Sequence, residues 1–409
     1  MWPVPHPRPA LVVALLVGLA TSTTAVAQSL DRPEGIGLKV GEGRLHASVQ
    51  LETHYVYNPG YIAPDGSYVT GVLVTPSDAF VLLVRPGLDY NRPSPRLELS
   101  FAGDVDRHEY FGMRRSTSGG FSGTSGHATA AVVINKESWV SVRLRDALVR
   151  DDEPGNQTLY DRIKHTSNEA GAGVDIAPGG GALRLSLDYA FFFDTYDEQG
   201  ILNNIQHRPA LSVHWKFLPK TAAFFQAQGT LTSYSDAQNV GSNLVQAYFG
   251  LTGSLTPKVT TLLKAGYGNT FVGSGDNFSS VLGQVELGYA ISPTATVKAG
   301  FVRAVQPTSV FKYFSMMRAY SRVDLALGSR IVVGLAGDGA LLSYGAATVV
   351  IPVLPGEDPN PTFRKDLQLT GSLEVGYHVT PWLVASLVDR LDRRSSNIGQ
   401  ANGGVGYVF

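Results

Sequence analysis

Apolar residues recur at every second position along almost the whole chain, and that period decides its secondary structure. In residues 44–57, Leu45, Ala47, Val49, Leu51, Tyr55 and Tyr57 alternate with His46, Ser48, Gln50, Glu52 and His54. In residues 183–193, Leu183, Leu185, Leu187, Tyr189, Phe191 and Phe193 alternate with Arg184, Ser186, Asp188 and Ala190. Residues 367–378 repeat the pattern with Leu367, Leu369, Leu373, Val375 and Tyr377 on one parity and Gln368, Thr370, Ser372, Glu374 and His378 on the other. A period of two is that of a strand with one apolar face; a helix needs 3.6. About eighteen such segments follow one another, starting near Arg44, Phe80, Arg96, Ala128, Trp139, Glu169, Leu183, His207, Ala222, Asn243, Thr260, Ser280, Thr296, Phe314, Ile331, Lys365, Leu383 and Asn397. Each is near the ~9–11 residues that a tilted strand needs to cross a bilayer.

The connections alternate as well. Short turns rich in Pro and Gly follow the even-numbered segments, as at residues 91–95, 178–181, 218–220, 256–258, 292–294 and 380–382. These residues preset tight turns. Longer polar connections follow the odd-numbered ones, as at residues 106–127, 150–167, 194–205 and 273–279. Transmembrane barrels of the bacterial outer membrane have this asymmetry, with short periplasmic turns and longer external loops. The predicted fold is therefore all-β: a transmembrane up-and-down antiparallel β-barrel of about eighteen strands, or sixteen. Residues 68–75 are read as part of the first external loop, and residues 346–355 as an external hairpin or an inward fold that narrows a pore.

Both ends of the chain agree with export to that membrane. Arg8, an apolar run over residues 10–20 and Ala25-Val26-Ala27 have the layout of a secretory signal peptide, with cleavage expected after Ala27. This divides the chain into a signal peptide (1–27), a short periplasmic segment (28–43) and the barrel (44–409). The last seven residues place Val405, Tyr407 and Phe409 on one strand parity. That ending looks like the C-terminal signal of outer-membrane barrels, which implies the barrel assembly machinery as a partner and closure against the first strand at the periplasmic side. Cysteine is absent, so disulfides, thiolate metal sites and a lipidated cysteine are excluded. A net charge of −1 with only 16% charged residues argues against nucleic acid. Location in the bacterial outer membrane, in contact with its lipid, is the expectation.

Aromatic placement fits a bilayer interface. Trp139, Trp215 and Trp382 adjoin the short turns, with Phe217, Tyr289, Tyr377 and Phe409 at the same level, as in an aromatic girdle. Asp146, Arg303 and Asp389 fall on the lipid-facing parity. A charge at the midplane costs about 2–4 kcal/mol for Arg and less for Asp, so all three are expected near the external ends.

The opposite parity defines the lumen. Its basic candidates are Arg85, Arg143, Arg145, Arg184, Lys216, Lys264, Lys298, Arg318, Arg322 and Arg390. Its acidic candidates include Glu52, Asp89, Glu98, Asp104, Asp188, Glu286, Asp324 and Glu374, and its amides Gln226, Gln228, Gln246, Gln284 and Gln368. A mixture of signs predicts either a hydrated, weakly selective interior or charges that pair between strands and stiffen a plugged wall. Histidines beside carboxylates or serines (His46, Glu52 and His54; Glu374 and His378; Ser212 and His214) share a face simply because they are two apart. No catalytic residue, metal or cofactor is assigned, and an enzyme is the least favoured reading.

Two opening stretches carry a family resemblance. Gly43-Arg44-Leu45-His46-Ala47-Ser48-Val49-Gln50-Leu51-Glu52 runs into Tyr55-Val56-Tyr57-Asn58, and Phe80-Val81-Leu82-Leu83-Val84-Arg85-Pro86-Gly87-Leu88 precedes Arg96-Leu97-Glu98-Leu99-Ser100-Phe101. This resembles the start of the beta-barrel porin-2 family. The resemblance implies a barrel associated with polysaccharide secretion, working with a separate periplasmic polysaccharide export protein and passing the polymer outward. A general or solute-specific diffusion porin is the alternative, and a plugged structural or surface barrel a further one.

Overall fold

The structure, a computed structural model, describes residues 37–57, 67–69, 72–74, 78–111, 122–151, 164–197, 200–236, 242–272, 277–308, 311–345, 364–380, 383–396 and 403–408. The expectations placed on the signal peptide, residues 346–355, Trp382 and Phe409 lie outside them. A nineteen-stranded antiparallel sheet dominates; one member is the three-residue strand Leu38–Val40, and the other eighteen form a ring. In chain order the ring is β1 (Gly43–Tyr57), β2 (Asp78–Arg92), β3 (Leu97–Phe111), β4 (Gly123–Ile134), β5 (Val140–Asp151) and β6 (His165–Ile176). It continues with β7 (Leu183–Tyr196), β8 (Asn204–Leu218), β9 (Thr221–Tyr234), β10 (Ser242–Ser254), β11 (Val259–Val272) and β12 (Phe278–Ser292). The last six are β13 (Ala295–Gln306), β14 (Phe314–Leu327), β15 (Ile331–Tyr344), β16 (Lys365–Thr380), β17 (Leu383–Ser396) and β18 (Gly403–Val408).

Each strand pairs with its neighbours in sequence, and β18 pairs with both β17 and β1, which closes the ring. The described pairing closes the ring over the loop-end half of the β17–β18–β1 seam; a closed sheet is the condition for strands to sit in a bilayer. Among the described residues no helix is long and apolar enough to cross a membrane. The tyrosine–valine segment in the first long connection stays out of the ring: Ser67–Val69 and Val72–Val74 form a separate two-stranded sheet. Leu38–Val40 folds back on the start of β1 through Gly41, whose φ of 62° favours glycine.

Face polarity follows the parity of the sequence. Val49 is 76% exposed, Leu51 68% and Phe249 68%, and the exposed large apolar residues of the other strands keep the same outward parity. Trp139, Trp215, Tyr289 and Tyr377 are exposed at the end of the ring that carries the short turns. Most strands begin within a few residues of their predicted starts. The larger departures are β4, β6 and β18. The first two reach further towards the loop end than the apolar pattern does, because polar cross-strand pairs such as Asp106–Ser125 and Asp151–His165 continue the ladder there.

Three features of the walls differ from expectation. Asp389 lies midway along β17 and Asp146 midway along β5, not at their loop ends. Asp146 is met on the outer face by the Asn168 side-chain amide, at 3.1 Å, which supplies a donor that lipid cannot. Third, Val408 is level with Tyr55 and Asp389, so the described part of β18 spans the loop-end half of the seam and does not reach the turn end. The same register sets Val405 opposite Asp392, and Tyr407 opposite Arg390 and Val56. The outward placement expected of the Val405 and Tyr407 side chains lies outside what the structure describes.

Glycine fixes one tight passage at the turn end. Gly253 pairs with Thr221 at φ 140°, and a Cβ there would lie 2.1 Å from the Lys220 carbonyl oxygen. Gly253→Val should therefore lower stability by about 1–3 kcal/mol, read as a lower denaturant midpoint of the folded barrel; an unchanged midpoint would contradict this register.

Candidate functional site: a charged lumen narrowed at the loop end

The register assigns a wall position to every predicted lumen residue. Glu52 (β1), Arg85 and Asp89 (β2), Glu98 (β3), Arg143 and Arg145 (β5), Arg184 and Asp188 (β7) and Lys216 (β8) all lie on the parity opposite the exposed apolar one. So do Lys264 (β11), Glu286 (β12), Lys298 (β13), Arg318, Arg322 and Asp324 (β14), Glu374 (β16) and Arg390 (β17).

Most of these charges are joined across strands. Arg143 reaches Asp175 at 3.0 Å and Asp188 at 2.9 Å. Arg145 and Arg208 share Glu169, and Arg318 meets Asp338 at 2.9 Å. Arg322 lies between Asp324 (2.7 Å) and Glu374 (3.6 Å), Arg390 meets Asp392 at 2.8 Å, and Lys136 meets Glu98. Partners come from the adjacent strand, from the next strand but one (Arg143–Asp188, Arg208–Glu169, Arg322–Glu374), from an adjoining turn, or from two residues along the same face. Such pairs hold long side chains against the wall and keep them out of the water path.

Two of the same-face arrangements bear on chemistry. Ser212 Oγ is buried without a hydrogen-bond partner, while His214 stacks on Phe224 with ring centroids 5.5 Å apart. The pair forms no proton-transfer contact. Asp104, Asp106 and His127 present ligand atoms within 4.8 Å of one another, a grouping that the sequence hid because it joins β3 and β4. Arg85 stands 3.6 Å from Asp104 and 3.9 Å from Asp106 and supplies the counter-charge there.

The loop end holds what alternation did not show. β12 and β13 pair only as far as Gly283 and Arg303, whereas β13 and β14 stay paired to Gln306 and Phe314. The tip of the β13–β14 hairpin therefore leaves the wall and enters the lumen. Its Val305 carbonyl accepts a hydrogen bond from Gln246 of β10 at 3.0 Å, and its Thr308 carbonyl accepts one from the Tyr234 hydroxyl of β9 at 3.2 Å. These replace partners that the tip gave up on leaving β12. Tyr313 stacks on Phe278 at 4.1 Å. Phe311 is fully buried with Tyr344, Phe314 and Met316, and Tyr196 at the end of β7 and Leu202 of the β7–β8 connection join that apolar cluster. A second connection thus meets the tip inside the mouth.

Charge fastens this closure. Asp366 is fully buried between Arg364 (2.7 Å) and Arg394, and the Arg364 guanidinium lies over the Tyr344 ring at 4.8 Å. The signal for the inward hairpin was present in the sequence: Phe311, Tyr313 and Phe314 make an aromatic cluster where a solvated connection should be polar.

No family model matches the chain, and no curated protein matches it; the resemblance of the opening strands finds no support there. Among solved structures the chain is similar to OpdQ of Pseudomonas aeruginosa, at 8% identity over 89% of this chain and 97% of that one, with a TM-score of 0.47. It is similar to OprD of the same organism at 11% identity over 92% and 96% of the two chains, TM-score 0.44, and to the siderophore receptor PirA at 11% identity over 89% and 79%, TM-score 0.45. The architecture of this chain rests on its own strand register.

Two outcomes follow from the constricted mouth. Asp366→Asn removes the carboxylate that Arg364 and Arg394 share and should cost about 3–5 kcal/mol, seen as a lower melting temperature; an unchanged value would contradict the buried ion cluster. Replacing residues 307–312 by a short Gly-Ser turn should raise single-channel conductance in planar bilayers, and equal conductance would show that the tip does not limit the path.

Proposed function

We propose that this chain is an outer-membrane diffusion channel for hydrophilic solutes. The observation that carries this reading is the inverted polarity of a closed sheet: apolar side chains outside, ion pairs and amides inside. Such a sheet satisfies its backbone without water and is at home in lipid, and rings of this size leave room for an aqueous path. The signal peptide expected at the N-terminus and the asymmetry of the connections support the same location, with the short turns periplasmic.

The polysaccharide-export reading has one supporting observation, the hydrogen-bonded amides Gln226, Gln228 and Gln246, which could exchange bonds with a hydroxylated chain. Against it stands the seated hairpin, which lies across the mouth by which a polymer would leave. The diffusion channel is therefore the better supported of the two, and solute passage needs no periplasmic partner.

Purified protein added to a planar lipid bilayer should give discrete conductance steps, and persistent silence of heat-modifiable, folded protein would overturn the channel. Deleting the gene should leave surface polysaccharide unchanged; loss of surface polymer with intact synthesis would favour the export reading instead.

A further inference from the structure

The pairing of the lumen is one-sided. Its carboxylates are met at contact distance, even where two share one cation, as Asp324 and Glu374 share Arg322. Some inward cations differ: Arg44 of β1, Lys39 opposite it in the ladder, and four on the opposite side of the ring. Among the described residues Arg184, Lys216, Lys264 and Lys298 have no carboxylate within ion-pair distance. All four stand on one arc of the ring, β7 to β13, towards the turn end of their strands. The wall residues between them are mainly amides and aromatics. Lys264 lies over the Tyr248 ring at 4.8 Å. Of the carboxylates in this arc's turn-end half, Asp188 is held by Arg143 at 2.9 Å and Glu286 by the Tyr320 hydroxyl at 2.5 Å.

We propose that this arc makes the channel anion-selective and that its preferred solutes are small molecules carrying a carboxylate or phosphate group. The inference rests on the channel reading above. Fixed charge of one sign on a low-dielectric wall raises the local concentration of the opposite sign and lowers its entry barrier. At about 0.1 M salt the Debye length is ~10 Å, so neighbouring cations of the arc act together on an ion in the vestibule. The facing wall carries more carboxylates than cations, as in Asp104 and Asp106 around Arg85. There Asp104 and Asp106 lie 3.6 and 3.9 Å from Arg85 and Glu98 meets Lys136, whereas Lys216 and Lys298 are exposed without an ion pair. Lys216 and Lys298 are exposed and make no ion pair, so changing them removes charge without removing a wall contact.

The test is the reversal potential of the full-length protein in neutral bilayers under a KCl gradient. Wild type should favour chloride. The double variant Lys216→Glu with Lys298→Glu should lower the chloride-to-potassium permeability ratio by about threefold or more at low salt, and Lys216→Gln with Lys298→Gln should fall between. Both variants should keep the heat-modifiable gel mobility of wild type; if the Glu pair fails to fold, the Gln pair carries the comparison. Conductance with a preference for potassium in wild type would overturn the inference and leave the channel standing. So would a permeability ratio unmoved by either pair. Absence of any conductance in folded protein would overturn the channel and the inference with it.

Discussion

Backbone hydrogen bonding in a closed sheet is the constraint on which the other features depend. A strand in lipid has no water to turn to, so every amide and carbonyl of the wall needs a neighbour. Eighteen antiparallel strands provide one another with those neighbours, and β18 joins the ring by pairing with β17 and β1. Once the ring is closed, the pleat alone decides which side chains meet lipid and which meet the lumen. The inward charges can then pair across strands at distances near 3 Å, because the register has already placed them side by side.

The same constraint explains the mouth. Where β13 leaves β12 near the loop end, Val305 and Thr308 keep their carbonyls satisfied through Gln246 and Tyr234, side chains that come from β10 and β9. The departure is offset by burial of Phe311 and by the Arg364–Asp366–Arg394 cluster beside it. The hairpin sets the opening at the loop end, while the turn-end half of the β7–β13 arc holds the cations that lack carboxylate partners.

Strand order and face polarity were legible in the sequence, because each depends on a period of two that no other secondary structure shares. Leu183 to Phe193 shows this best: its odd positions face outward and its even ones inward along the whole of β7. Three things were not legible. The seam was not, since a period of two does not say where along β17 and β1 the last strand pairs. Pairing of the charges was not, because Arg143 on β5 finds Asp175 on β6 and Asp188 on β7, and which of them it meets is fixed by register. The inward hairpin was not read from alternation, since its docking depends on Tyr234, Gln246 and Tyr344, which lie on three other strands, although Phe311, Tyr313 and Phe314 marked it as an odd connection.

The central claim is a closed wall with lipid on one face and water on the other, and a cysteine scan of β7 tests it most directly. The chain contains no cysteine, so single substitutions can be introduced one at a time at positions 184–189 and treated in membranes with a charged, water-soluble thiol reagent. The account predicts labelling at positions 184, 186 and 188 and protection at 185, 187 and 189. Uniform labelling, uniform protection or a period near 3.6 would contradict it.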